Sequence, residues 1–288
     1  MTNSVNTLLL MRVGRTEEIM DCYRGQYLRF GCSLNWIIYA AQTGSESVGD
    51  WNECIFAQLP VGDPRLNNQV DSRGLPMRDN LLECDNPING LRTLRYYPII
   101  LKPTLCFFSF RYDELLSQVD PSHGSVEYSL EKYCIDMGYN PEEISFLLIE
   151  NPNALHDELK KEIPIAVKDN MALSSEGFYK GFDADDPLSG QDVIYDLHKE
   201  NDIFCDKAEI TPFWEFARYK YQSELRFTVS HLHFKNRDSS NSEERNLIVP
   251  MPHLQEYAQV IAGRDVKKIR FYNFDNEKRA VQCNFICN

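Results

Sequence analysis

The sequence has no run of about 20 apolar residues, which is what a helix needs to cross a bilayer. Its opening, MTNSVNTLLLMRVGR, has too short an apolar run and no basic flank for a secretory leader. A cytoplasmic chain without a membrane segment is therefore expected. Positive charge is also scarce. Thirty lysines and arginines face 43 aspartates and glutamates, a formal net charge of −13. Broad nucleic-acid binding needs cations along phosphates, so that balance opposes it. It leaves room for a local basic groove and for partners that are themselves basic. The phosphate-cradling G-x-x-x-x-G-K-[ST], the dinucleotide G-x-G-x-x-G and the serine-nucleophile G-x-S-x-G are all missing, so the standard nucleotide and hydrolase frameworks have no foothold. There is no heptad and no internal repeat.

Cysteine is present but unpatterned. The 9 cysteines are odd in number and scattered. No C-x-x-C occurs, and the closest pair is Cys283 and Cys287. Such residues read as reduced thiols used as small hydrophobes, and no metal site is expected from them.

What remains is a chain of 288 residues, 43% hydrophobic and 12% aromatic, ample for a packed core. Short apolar β-type runs alternate irregularly with amphipathic stretches, without βαβ regularity. The predicted class is α+β, with mixed, mainly antiparallel sheets and peripheral helices. A single domain over 1–288 is expected, with a long irregular insertion at about 60–95 and a helical segment at about 125–165. NTLLLMRV predicts a first strand and EEIMDCYRGQYLRFG a helix or turn followed by a strand. CSLNWIIYA reads as β-rich, QDVIYDLHKEN as a short helix and KNRDSSNSEER as a polar hairpin tip or mobile loop. MPHLQEYAQVIAG reads as a helix capped near Gly263, and two closing strands follow.

The stretch RYKYQSELRFTVS, 218–230, carries the most chemistry. As a strand it places Lys220, Gln222, Glu224, Arg226 and Thr228 on one face and Tyr221, Ser223, Leu225, Phe227 and Val229 on the other. The polar face is either a solvated sheet face or the wall of a cleft. Gln222 and Glu224, two residues apart, would project together about 7 Å apart. A carboxylate so placed can hold a ribose hydroxyl and stabilise an oxocarbenium ion, while the amide orients an acceptor. Three other groupings are weaker. Asp50 and Glu53 could share a helix face, either as an ion-binding pair or as acids favouring the helix dipole. His231 and His233 form an H-x-H that is half of a metal site or a structural pair, with a bulge expected near Ser230. DADDPLSGQD reads as a solvated loop.

Gln222-Ser223-Glu224 resembles the Q-x-E element of ADP-ribosyltransferases of the arginine–serine–glutamate class. The resemblance implies NAD as substrate, Glu224 and Gln222 as catalytic residues, and Arg12 as the contact to the NAD phosphates. Ser33 and Ser109 are both open as the serine that supports the nicotinamide pocket. Tyr39 would stack on nicotinamide, and Arg226 would pair with phosphate or with Glu224. A second resemblance follows the chain order FGCSL, GDWNE, CFFSF, KYQSELRF and QVIAGRDVKKIRFYN. It is to a family of uncharacterised prokaryotic proteins that look like relatives of ADP-ribosyltransferase folds or of phage-defence effectors. Together these imply an NAD-dependent ADP-ribosyltransferase-like or NAD glycohydrolase-like toxin or effector. The alternative is a non-catalytic acidic protein of phage defence or counter-defence that engages a protein partner or another nucleotide.

Overall fold

The computed structural model describes residues 6–43, 54–55, 57–64, 81–86, 90–168, 170–175, 187–192, 194–196, 203–204, 214–216, 223–237 and 242–287. In chain order the first elements are β1 (Thr7–Arg15), α1 (Thr16–Arg24), β2 (Tyr27–Phe30), α2 (Ser33–Thr43), β3 (Ala57–Pro60), β4 (Leu81–Asn86), β5 (Leu91–Tyr96) and α3 (Tyr97–Ile100). Then come β6 (Thr104–Arg111), α4 (Tyr112–Ser117), β7 (Ser125–Ser129), α5 (Leu130–Asp136), β8 (Ile144–Ile149), α6 (Pro152–Val167) and β9 (Leu173–Ser175). The remainder is β10 (Leu188–Asp192), β11 (Ile194–Asp196), β12 (Ile203–Phe204), β13 (Trp214–Phe216), β14 (Glu224–Val229), β15 (Leu232–Phe234), β16 (Leu247–Pro250), α7 (Leu254–Tyr257), β17 (Ala258–Ala262), β18 (Val266–Asp275) and β19 (Ala280–Cys287). Helices and mainly antiparallel sheets are mixed without regular alternation, an α+β chain as its composition predicts.

Two compact units emerge, each assembled from separated segments. The first takes Met1–Arg29, Cys106–Ala166 and Ile248–Asn288; the second takes Phe30–Leu105 and Val167–Leu247. In the first unit, β1 lies between β6 and β8, and β17 extends the sheet beyond β8, every neighbour antiparallel. A second antiparallel sheet runs β19–β18–β7. The core of this unit draws on both sheets. Leu9, Met11, Phe108, Phe110, Phe146 and Leu148 meet Val126, Ile269 and Phe271, and Leu130, Tyr133 and Cys134 of α5 join them. Strand alternation sends Leu9 and Met11 into that core, and therefore turns Arg12 to the opposite face. A Cβ added at Gly14, two residues on, would lie 3.3 Å from the Ile19 side chain, so α1 covers the face that Arg12 shares.

In the second unit, β12, β3, β5 and β4 form one antiparallel sheet, so part of the predicted insertion is regular strand, with β4 and β5 paired to each other and β5 also paired to β3. β10 pairs with β14 and β9 with β15, both antiparallel, while β11 and β13 are parallel. Phe30, Leu34, Ile37, Leu59, Leu94, Ile100, Val229 and Phe234 are buried here.

Three local expectations are corrected. CSLNWIIYA forms helix α2 rather than a β-rich run. Its buried positions, Ser33, Leu34, Ile37 and Ala40, follow the 3.6-residue spacing of one helix face. QDVIYDLHKEN is not helical where described: β10 ends within it, and β11 follows by pairing with β13. MPHLQEYAQVIAG is helical only over α7. From Ala258 it becomes a strand, because β8 offers an edge on which Ala258 pairs with Ile149 and Ala262 with Ser145. Gly263 is therefore no helix cap. A Cβ there would lie 2.6 Å from the Pro141 carbonyl oxygen, and this close approach is what requires glycine.

Candidate functional site

The strand predicted from Lys220 to Thr228 is described from Ser223. Gln222, Lys220 and Tyr221 lie outside the described residues, as do Asp50 and Glu53. Ser223 has φ +42°, in the left-handed region that side-chain-bearing residues seldom adopt, and β14 begins immediately after it at Glu224. Of the two readings of the polar face, a solvated sheet face does not hold for Arg226 and Thr228 on β14. Arg226, Phe227, Thr228 and Val229 are 3%, 4%, 2% and 0% exposed, so both faces are covered. The expected bulge near Ser230 is a turn, with His231 at φ +57°, and β15 leaves it to pair with β9.

Within this covered strand the Glu224 side chain is 18% exposed and that of Arg226 4%. Arg226 donates from Nη2 and from Nε to the same carboxylate oxygen, Glu224 Oε2, at 2.7 and 3.2 Å. These two residues share one face of β14, so the strand period itself sets the pair. The Arg226 guanidinium carbon lies 5.7 Å from the centroid of the Trp36 ring on α2, within cation–π range. A carboxylate, a guanidinium and an indole thus converge at one end of β14. The carboxylate is recessed but reachable, and the planar guanidinium fork is of a kind that binds a carboxylate or a phosphate through two oxygens.

The other predicted residues distribute as follows. Tyr39 lies on α2, one turn beyond Trp36, and is 42% exposed. Trp36, passed over by the sequence reading, is an aromatic that meets Arg226. Its signal was available in the i,i+3 spacing of the two rings. Ser33, at the start of α2, is 1% exposed, and its hydroxyl oxygen accepts from the Cys54 thiol at 3.1 Å. Ser109 is 1% exposed on β6 opposite Leu10. Arg12 and Ser109 belong to the first unit, and Ser33, Tyr39, Glu224 and Arg226 to the second.

Arg12 is half-buried. Its Nη1 donates to the Arg29 carbonyl oxygen at 3.3 Å. Burial lowers its pKa from the ordinary arginine value. Cys22, Cys106 and Glu18 favour its charge, while the neighbouring Arg29 disfavours it.

In the second unit the sequence reading missed Arg245, which KNRDSSNSEER placed in a polar loop. It is fully buried, and its Nε donates to Asn35 Oδ1 at 2.7 Å, fastening α2. Burial pushes the nearby Cys32 thiol up to about 11, against a smaller opposing pull from Arg245, so Cys32 is no ready nucleophile. Among the described residues no group of three or more His, Cys, Asp or Glu could hold a metal ion. No helix of the described residues is long and apolar enough to cross a membrane. No family model matches the chain, and neither a curated protein nor a solved structure matches it.

Proposed function

We propose that the chain engages NAD or a related phosphate-bearing nucleotide at the Glu224–Arg226–Trp36 cluster, with Glu224 as the carboxylate for ADP-ribosyl transfer or NAD glycohydrolysis. One observation carries this reading: Glu224 is recessed and held by a buried arginine beside an aromatic ring, not displayed on a solvated sheet face. The pair has two states of comparable chemistry. Without ligand, Arg226 neutralises Glu224. When a ligand phosphate occupies the guanidinium fork, the carboxylate is released toward the sugar. There it can hold a ribose hydroxyl and stabilise positive charge developing at the anomeric carbon as nicotinamide departs. Trp36 supplies an apolar face against which a ring can stack.

The second reading is a non-catalytic protein of a phage conflict system that binds a nucleotide or a protein partner. The same ion pair favours it, since a carboxylate already neutralised by its neighbour is a common structural device.

Incubation with NAD and measurement of free nicotinamide separate the two. The enzymatic reading expects release by the parent and a loss of at least about a hundredfold in Glu224→Gln. A variant as active as the parent would end it. NAD binding, seen as a rise in melting temperature, with no release from either protein would favour the second reading.

A further inference from the structure

We infer that β19 is an interface between two copies of this chain. It pairs antiparallel with its own counterpart across a two-fold axis, so that the β19–β18–β7 sheet continues into a second molecule. All the residues involved belong to the first unit, and neither Glu224 nor NAD enters.

β19 runs for eight residues, AVQCNFIC, and has a neighbouring strand, β18, on one side only. Among the described residues nothing but β18 bonds its backbone. A long strand edge is a template for another chain, and folded proteins blunt such edges with charge, proline, a bulge, shortness or a covering element. Ala280–Cys287 contains no charged residue and no proline. Where its register with β18 shifts, between Val266 and Lys268 and between Tyr272 and Asp275, the extra residues lie on β18. Two other outer strands of this unit are protected. β7 is five residues long and carries Glu127, which accepts from Lys268 at 2.9 Å. α1 lies against β17, where the Tyr23 hydroxyl donates to the Ala258 carbonyl oxygen at 3.3 Å.

Side-chain alternation specifies the occupant. Val281, Cys283 and Phe285 pack against the core of the unit yet stay half-buried, whereas Ile269 and Phe271, which β18 sets opposite Phe285 and Cys283, are 0% and 1% exposed. Burial thins out at this edge, and one more strand beside it would complete the cover. Gln282 and Asn284 are exposed on the other face. Directly opposed residues in an antiparallel pair share a face, so two copies of β19 match core side to core side only in alternate registers. The register centred on Cys283 sets Val281 opposite Phe285, Cys283 opposite itself and Gln282 opposite Asn284. Apolar groups then meet apolar groups, and amide meets amide. A two-fold interface must be self-complementary in this way, which commits the edge to a second copy. Charge agrees. Two molecules of net charge −13 repel at most approaches, and β19 lets them meet with no charged residue in register. Eight residues make a small interface, so a reversible pair of micromolar strength is expected.

Sedimentation velocity over a concentration range reaching about 100 μM, ample to populate such a pair, tests the pairing. Reducing buffer keeps the exposed Cys287 from linking copies. The parent should pass from monomer to dimer as concentration rises. Gln282→Lys combined with Asn284→Lys sets lysine opposite lysine on both sides of the axis and should leave a monomer. Gln282→Glu combined with Asn284→Lys sets glutamate opposite lysine at the same places and should restore the dimer. Both positions are exposed, so melting temperatures near the parent's are expected and serve as the check on folding. A parent that stays monomeric throughout would overturn the inference and leave the edge to some other extended peptide. So would a dimer undiminished in the double-lysine protein, or a folded glutamate–lysine protein as monomeric as the double-lysine one. The parent measurement decides by itself if either variant fails to fold.

Discussion

Glu158, on α6, is 7% exposed, and both its carboxylate oxygens are engaged: Oε1 accepts from the His253 backbone N–H at 2.8 Å and Oε2 from the Tyr257 hydroxyl at 2.5 Å. Burial and this carboxylate together push the Tyr257 phenol well above its ordinary range, so it stays a donor at every working pH. Tyr257→Phe leaves a buried carboxylate oxygen short of a donor. It should lower unfolding stability by about 1–3 kcal/mol in urea denaturation. His253 itself pairs with Glu256 through Nδ1 at 2.8 Å, and that hydrogen bond raises its pKa above the ordinary 6.5. A raised histidine stabilises the fold below its unfolded pKa and loses that contribution as pH rises through the folded value. Glu256→Gln should therefore cost more stability at pH 5.5 than at pH 8, and NMR titration should show His253 shifted back toward 6.5. Equal losses at both pH values would contradict the assignment.

At the scale of elements, the connection from β17 to β18 depends on Gly263. Any Cβ there meets the Pro141 carbonyl at 2.6 Å and Ile144 Cγ1 at 2.9 Å, and the first of these is backbone that cannot swing aside. Gly263→Ala should destabilise the chain by about 1–3 kcal/mol, seen as a lower denaturation midpoint with an unchanged slope. This glycine also shows what could be read in advance. A turn at Gly263 was legible, but the element before it was not. LQEYAQVIA has helical spacing, and only the open edge of β8, more than 100 residues earlier, makes Ala258–Ala262 a strand. The opposite error occurred at α2, where β-branched and aromatic residues suggested a strand while the spacing of Leu34, Ile37 and Ala40 already spelled a helix. β1, β18 and β19 were legible because each is a continuous apolar or alternating run whose burial follows local pattern.

At the scale of the molecule, the α+β class followed from composition and irregular alternation. The division into two units did not, because each is stitched from distant segments and no linker composition marks the crossings. The candidate site was legible in part. The i,i+2 spacing of Glu224 and Arg226 announced one shared face. That the same face is covered, and that Trp36 lies over Arg226, depends on α2 packing from nearly 190 residues away. The net charge of −13 bears on function at this scale too, since it makes any bound phosphate dependent on local arginines.

The central claim is that Arg226 alternates between Glu224 and a ligand phosphate, and calorimetric titration of NAD into the parent, Arg226→Gln and Glu224→Gln proteins tests it most directly. The account predicts binding by the parent, affinity reduced about tenfold or more in Arg226→Gln, and affinity at or above the parent's in Glu224→Gln, where Glu224 no longer competes for the guanidinium. Parent affinity that is unchanged by Arg226→Gln, or no binding of NAD by the parent, would contradict it.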